Sequence, residues 1–339
     1  MPYKKLPELA ELERLIALGS SLLEVRTICQ VEADGQRMPI YALALGNPST
    51  DTPAVGFFGG IHGLERIGTQ VLLTFLAGLL NRLSWDRLLH QQLEAVRLVF
   101  MPLINPGGML RSTRCNPQGV DLMRNAPIDA IDRVPFLLGG QRISPRLPWF
   151  RGVADAPMEL ENRALCQVVE TELLPRRFSI ALDCHSGFGL RDRIWFPHAH
   201  TAQPIQHLAD IFALEDLFSQ TYPNHNYVFE PQSLQYLTHG DIWDHLYLQA
   251  AQRHKDSVFL PLTLEMGSWL WVKKNPRQLF TLQGMFNPRP LHRLQRVLRS
   301  HTVWLEFLAR AACGYENWRP NGEQRLQHQQ RANSRWYGR

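Results

Sequence analysis

Apolar positions along this chain fall into three textures, and each predicts a different kind of element. Leucines at helical spacing fill roughly the first 23 positions and predict an N-terminal helical segment. Two stretches, 25–31 and 39–45, flank Ala33-Asp34-Gly35-Gln36 and predict two strands joined as a hairpin that feeds a sheet. The run 54–61 is continuously apolar, which suits a strand buried on both faces; 96–103 reads as a second buried strand, and 178–184 and 258–265 as further strands. Helical spacing returns over 65–83, 159–174, 204–218, 240–253 and 291–312.

Glycine and proline punctuate this pattern. Ile104-Asn105-Pro106-Gly107-Gly108 reads as a forced loop, and residues 114–125 and 143–157 extend the irregular region. Residues 219–239 read as a polar, aromatic connection. From about 321 the chain turns polar, which predicts a disordered tail at 321–339 after a single catalytic domain over 1–320. Strands alternating with helices define an α/β fold with a central sheet.

Composition narrows the class. A 339-residue chain with 45% hydrophobic and 20% charged residues is long enough for one large α/β domain and apolar enough to bury its core. The formal charge of +5 is spread over scattered arginines, several of them in the terminal stretch around Arg325, Arg331, Arg335 and Arg339. No aromatic-interleaved basic repeat accompanies them, so nucleic acid is excluded as the expected partner. Five cysteines without CxxC spacing predict free thiols in a reducing, cytoplasmic setting. The longest apolar run, 71–80, is too short to span a bilayer, so no membrane partner is expected.

Candidate chemistry gathers where predicted strands end. His62-Gly63-Leu64-Glu65 puts an imidazole and a carboxylate three residues apart on a strand-to-helix turn, as two ligands of one ion require. His185 follows the strand of 178–184, and Glu265 ends that of 258–265. Ligands of open α/β sheets bind beyond the carboxyl ends of the strands, and a catalytic zinc takes three protein ligands with one open position.

Several motifs then match in order and context: Gly59-Gly60-Ile61-His62-Gly63-Leu64-Glu65, Ile104-Asn105-Pro106-Gly107-Gly108, Thr113 through Asn125, Phe150-Arg151-Gly152 leading to Glu159 and Glu161, Cys184-His185-Ser186, and Thr263-Leu264-Glu265. Together they resemble the zinc carboxypeptidase family across residues 55–267. The resemblance implies a three-layer α/β/α sandwich around a mixed, mostly parallel central sheet. It implies one Zn2+ held by His62, Glu65 and His185, with Glu265 as general base toward the attacking water and Arg114 as oxyanion stabiliser. It also implies Arg124 and Asn125 at the substrate's terminal carboxylate, with Tyr236 or Tyr247 as a substrate-binding tyrosine. Trp243 would fall where the family reads the terminal side chain.

Met123 stands where the family usually has asparagine, and Leu64 where subfamilies carry arginine or aspartate. Two substrates therefore stay open for a zinc-dependent amide hydrolase: peptides, as for a metallocarboxypeptidase, or N-acyl amino acids, as for a deacylase. A non-catalytic zinc-binding protein is the reading from another class. Oligomeric state is left open.

Overall fold

A computed structural model describes residues 6–20 and 22–338. Eight strands form one sheet: β1 (Glu24–Ala33), β2 (Gln36–Gly46), β3 (Ala54–Gly59), β4 (Arg97–Met101), β5 (Phe178–Ser186), β6 (Arg193–Phe196), β7 (Val228–Pro231) and β8 (Val258–Met266). Their order is β1-β2-β4-β3-β5-β8-β6-β7. The centre, β4-β3-β5-β8, is parallel, and every residue of β3, β4 and β5 is buried, the pattern expected of strands covered on both faces. Antiparallel pairs join β1 to β2, β2 to β4 and β6 to β8, so the sheet is mixed.

Neighbouring residues of β3 show how the layers form, because successive side chains on a strand point to opposite faces. Phe57 packs edge-on against Phe75 of helix Arg66–Arg82, with ring centroids 5.2 Å apart. Phe58 packs against Trp243 of helix Ile242–Arg253 at 5.0 Å. One helix therefore covers each face, giving the α/β/α arrangement. Helices Pro7–Leu18 and Leu291–Cys313 join Arg66–Arg82, while Leu160–Glu172 packs beside Ile242–Arg253.

Several elements depart from the sequence reading. The stretch at 321–339, expected to be a disordered tail, contains the helix Gly322–Trp336. Its anchoring is tertiary: the Trp336 ring packs on Phe196 and Phe212 and its indole N–H donates to the Phe229 carbonyl at 2.9 Å. Arg325 pairs with the fully buried Asp210 at 2.8 Å, and Arg335 reaches buried Glu215 at 2.6 Å. One wedge and two ion pairs leave little trace in a polar composition, which is why the pattern missed them.

The region from 187 to 239 contributes the edge strand β7 and its neighbour β6, each only four residues long and too short for a period to declare itself. Ile104–Gly108 is only partly loop, since Asn105 caps a short helix, Pro106–Arg111, by accepting from the Gly108 N–H at 2.7 Å. Among the described residues, no single helix is long and apolar enough to cross a membrane.

Candidate metal centre and active site

Strand register builds the site. On the paired parallel strands β5 and β8, His185 lies opposite Glu265, so both side chains emerge on one face at the carboxyl end of the sheet. Asp183, two residues before His185, shares that face, and its Oδ2 holds the imidazole Nε2 at 2.7 Å. That contact leaves Nδ1 turned toward Glu65 Oε2, 3.2 Å away. Cys184 points to the other face, and burial holds its thiol well above the usual range, as suits a packing residue.

His62 and Glu65 leave β3 on the turn before helix Arg66–Arg82. Here the backbone of Gly63 passes so close to Gly108 that a Cβ would stand 2.0 Å from the Gly108 carbonyl carbon. Only glycine allows that approach. Asn105 secures the turn from the neighbouring loop by donating Nδ2 to the Ile61 carbonyl at 3.1 Å. Glu65 Oε2 also accepts the Ser186 N–H at 2.9 Å, tying the two loops together.

Ligand atoms of His62, Glu65 and His185 all lie within 4.8 Å of one another, and all three residues are buried. His62 Nδ1 has no hydrogen-bond partner among the described residues; the nearest carboxylate oxygen, on Asp121, is 3.8 Å away. Two imidazoles and one carboxylate fit a borderline dication such as zinc, and the unpartnered nitrogen is the kind of donor such an ion would engage.

The electrostatics around this triad are steep. Burial would lower the His185 imidazole, yet Asp183 and Glu65 outweigh burial and hold it well above its ordinary value. For His62 burial wins, aided by the Arg114 charge, and the imidazole stays well below the usual value. Burial and the neighbouring Glu65 charge push the Glu265 carboxyl up to about 8, against His185, Arg114 and the Phe188 N–H, which donates to Oε1 at 3.0 Å.

Arg114 donates Nε to Asp121 Oδ2 at 2.8 Å and places Nη1 3.5 Å from Glu65 Oε1. Burial opposes its charge, but Asp121 and Glu65 dominate and keep the guanidinium protonated. Asp121 is itself held well below the carboxylate range, because Arg114 and His62 overcome the cost of its burial. Arg124 is buried; it donates Nη1 to the Met123 carbonyl at 3.0 Å and Nε to the Leu138 carbonyl at 3.3 Å, leaving Nη2 without a partner among the described residues. Its guanidinium lies 6.0 Å from the centroid of the Tyr236 ring.

Tyr236 reaches this position because Gly240 (φ 70°) crosses the Arg124 backbone with room for no side chain: a Cβ would stand 1.9 Å from the Arg124 carbonyl oxygen. Burial raises the Tyr236 phenol, with Arg124, Glu265 and Arg114 among the charges acting on it. Of the two tyrosines, only Tyr236 stands in this company; the Tyr247 hydroxyl is bonded to His207 at 2.9 Å.

Two residues expected at the substrate have structural partners within the protein. Asn125 spends its amide on structure, donating to the Arg151 carbonyl at 2.9 Å and accepting the Glu159 N–H at 2.7 Å. Trp243 is buried behind the triad and donates its indole N–H to Asp183 Oδ2 at 2.9 Å, so it supports the partner of His185. Asp121 and Asp183 are the residues that sequence reasoning passed over. For Asp183 a signal existed, since positions i and i+2 of a strand share a face.

Fold and triad together make a candidate metal site of the two-histidine, one-carboxylate kind at the carboxyl edge of an α/β/α sheet. The chain belongs to the zinc carboxypeptidase family, whose model matches residues 20–285. A stretch of 75 residues is 35% identical to "Carboxypeptidase SOL1" of Arabidopsis thaliana, covering 22% of this chain and 15% of that relative. Among solved structures, thrombin activatable fibrinolysis inhibitor matches with a TM-score of 0.65 and 16% identity over 89% of this chain and 72% of that one. Carboxypeptidase A from Helicoverpa armigera matches with a TM-score of 0.63 and 16% identity over 89% and 71%. At these identities the two structures establish the shared fold.

Proposed function

We propose that the protein is a zinc-dependent metallocarboxypeptidase that cleaves the amide bond next to the free carboxyl end of a peptide. The observation that carries this reading is the convergence of Glu265, Arg114, Arg124 and Tyr236 on the triad. Bound zinc would supply Lewis-acid polarisation of the scissile carbonyl, acidify a water and, as a positive charge, favour ionised Glu265.

The chain's own residues account for the rest. Glu265 Oε2 is the proton acceptor, because Oε1 is engaged by the Phe188 N–H; the same carboxyl returns the proton to the leaving amine. Arg114, fixed by Asp121, presents a guanidinium for the charge that develops on the carbonyl oxygen. Arg124 has a spare buried donor, which suits a substrate carboxylate, and Tyr236 lies over it to shield the terminal residue. Five free thiols support a reducing compartment such as the cytoplasm.

Zinc-loaded enzyme assayed on a peptide panel beside an N-acyl amino-acid panel tests the reading. Release of C-terminal residues is expected, with Glu265→Gln retaining zinc and losing roughly 10²–10⁴-fold in rate. Turnover of the N-acyl amino acids alone would replace the peptidase with a deacylase, and an unchanged rate in Glu265→Gln would remove the assigned base.

A further inference from the structure

A second cluster of two imidazoles and a carboxylate lies outside the catalytic site, and we infer that it is a second divalent-cation site, of structural type and suited to zinc. His198 and His200 follow β6, and Asp244 lies in the first turn of helix Ile242–Arg253. Their ligand atoms lie within 4.8 Å of one another, and all three residues are buried. His198 Nδ1 is 4.0 Å from Asp244 Oδ2, and His200 Nδ1 contacts that oxygen directly. The two rings stand 4.7 Å apart at 82°, against 5.1 Å and 69° for His62 and His185. Donor set and ring arrangement thus repeat those of the catalytic triad.

A polar cluster satisfied by its own hydrogen bonds would need no ion, and half of this one is satisfied. Asp244 Oδ2 accepts the backbone N–H groups of Ala199 and His200, each at 2.8 Å, besides the His200 ring. The other half is not: Asp244 Oδ1 and His198 Nδ1 are buried with no hydrogen-bond partner among the described residues. Both are atoms that can donate a lone pair to a cation, and buried polar atoms are otherwise almost always paired.

Nitrogen-rich donors select zinc, nickel or copper over magnesium or calcium. An ion here would fasten the segments that frame the active site. The His200 carbonyl accepts the Ile131 N–H at 2.9 Å, the Ala199 carbonyl accepts the Thr238 N–H at 2.8 Å, and the Gly240 carbonyl accepts the Ala126 N–H at 3.0 Å, next to Arg124.

Elemental mass spectrometry of the full chain, loaded with zinc and desalted, tests this separately from the catalytic site. Two zinc ions per wild-type chain are expected, falling to one in His198→Ala and to one in His185→Ala. One ion in wild type, lost in His185→Ala and kept in His198→Ala, overturns the second site while leaving the first intact; two ions kept in His198→Ala overturn the ligand assignment. Should His198→Ala not fold, Co2+ titration of His62→Ala/His185→Ala decides the matter. One equivalent with visible d–d absorption is expected there, and no uptake overturns the proposal.

Discussion

Trp243 and His185 bond the same oxygen: Asp183 Oδ2 accepts the indole N–H at 2.9 Å and meets the imidazole Nε2 at 2.7 Å. A helix on one side of the sheet thereby sets the ring orientation of a candidate metal ligand on β5. Partners of this kind are worth about 10–100-fold in metal affinity. Trp243→Phe keeps the packing against Phe58 and removes only the donor, so zinc affinity should fall by about that factor in a chelator-competition titration. An unchanged affinity with an altered preference for the terminal residue would return Trp243 to the substrate pocket.

Arg114 reaches the site as a charge braced by Asp121, and that bracing makes it suited to a transition state. Arg114→Ala is expected to lower kcat by roughly 10²–10³-fold with zinc content intact. Steady-state kinetics beside metal analysis separates the roles: a rise in KM with kcat preserved would make Arg114 a ground-state contact instead.

Glu215, buried in helix Leu208–Thr221, has its carboxyl pushed up to about 7 by burial, against the opposing pull of Arg335. The folded chain therefore binds this proton more tightly than the unfolded chain, whose carboxyl has the ordinary value of 4.5. Its stabilising contribution is complete below the unfolded value and is lost as pH rises toward 7, by about 3 kcal/mol. Glu215→Gln removes the titration, so urea unfolding at pH 4.5 and 7.5 should show a smaller loss in the variant. Equal losses in both proteins would rule this group out.

Ending the chain after Pro320 removes the Trp336 wedge, one of the two arginines on Asp210 and the arginine on Glu215. Loss of a buried tryptophan alone is worth roughly 3–5 kcal/mol, so a clear fall in Tm is expected. A truncated protein with unchanged Tm would mean that helix Gly322–Trp336 contributes nothing to the fold.

Much of this molecule is legible in its sequence. Periodicity and punctuation located the hairpin, β3, β4, β5, β8 and the long helices, because continuous apolar runs and helical stripes are local consequences of burial. His62, Glu65, His185 and Glu265 were found as residues at strand ends, where glycines mark a turn in the backbone. The short strands β6 and β7 escaped because four residues hold no measurable period, and the terminal helix escaped because it is anchored by contacts from distant residues.

The sequence by itself determined which residues could serve and roughly where each element lies, since composition, spacing and turn chemistry are properties of neighbours along the chain. Only the tertiary structure decided which of those residues meet. Strand register brought Glu265 opposite His185, a close glycine crossing brought Tyr236 rather than Tyr247 to Arg124, and packing gave Trp243 and Asn125 hydrogen-bond partners within the protein. Register and packing are set by residues far apart in sequence, so no local pattern carries them.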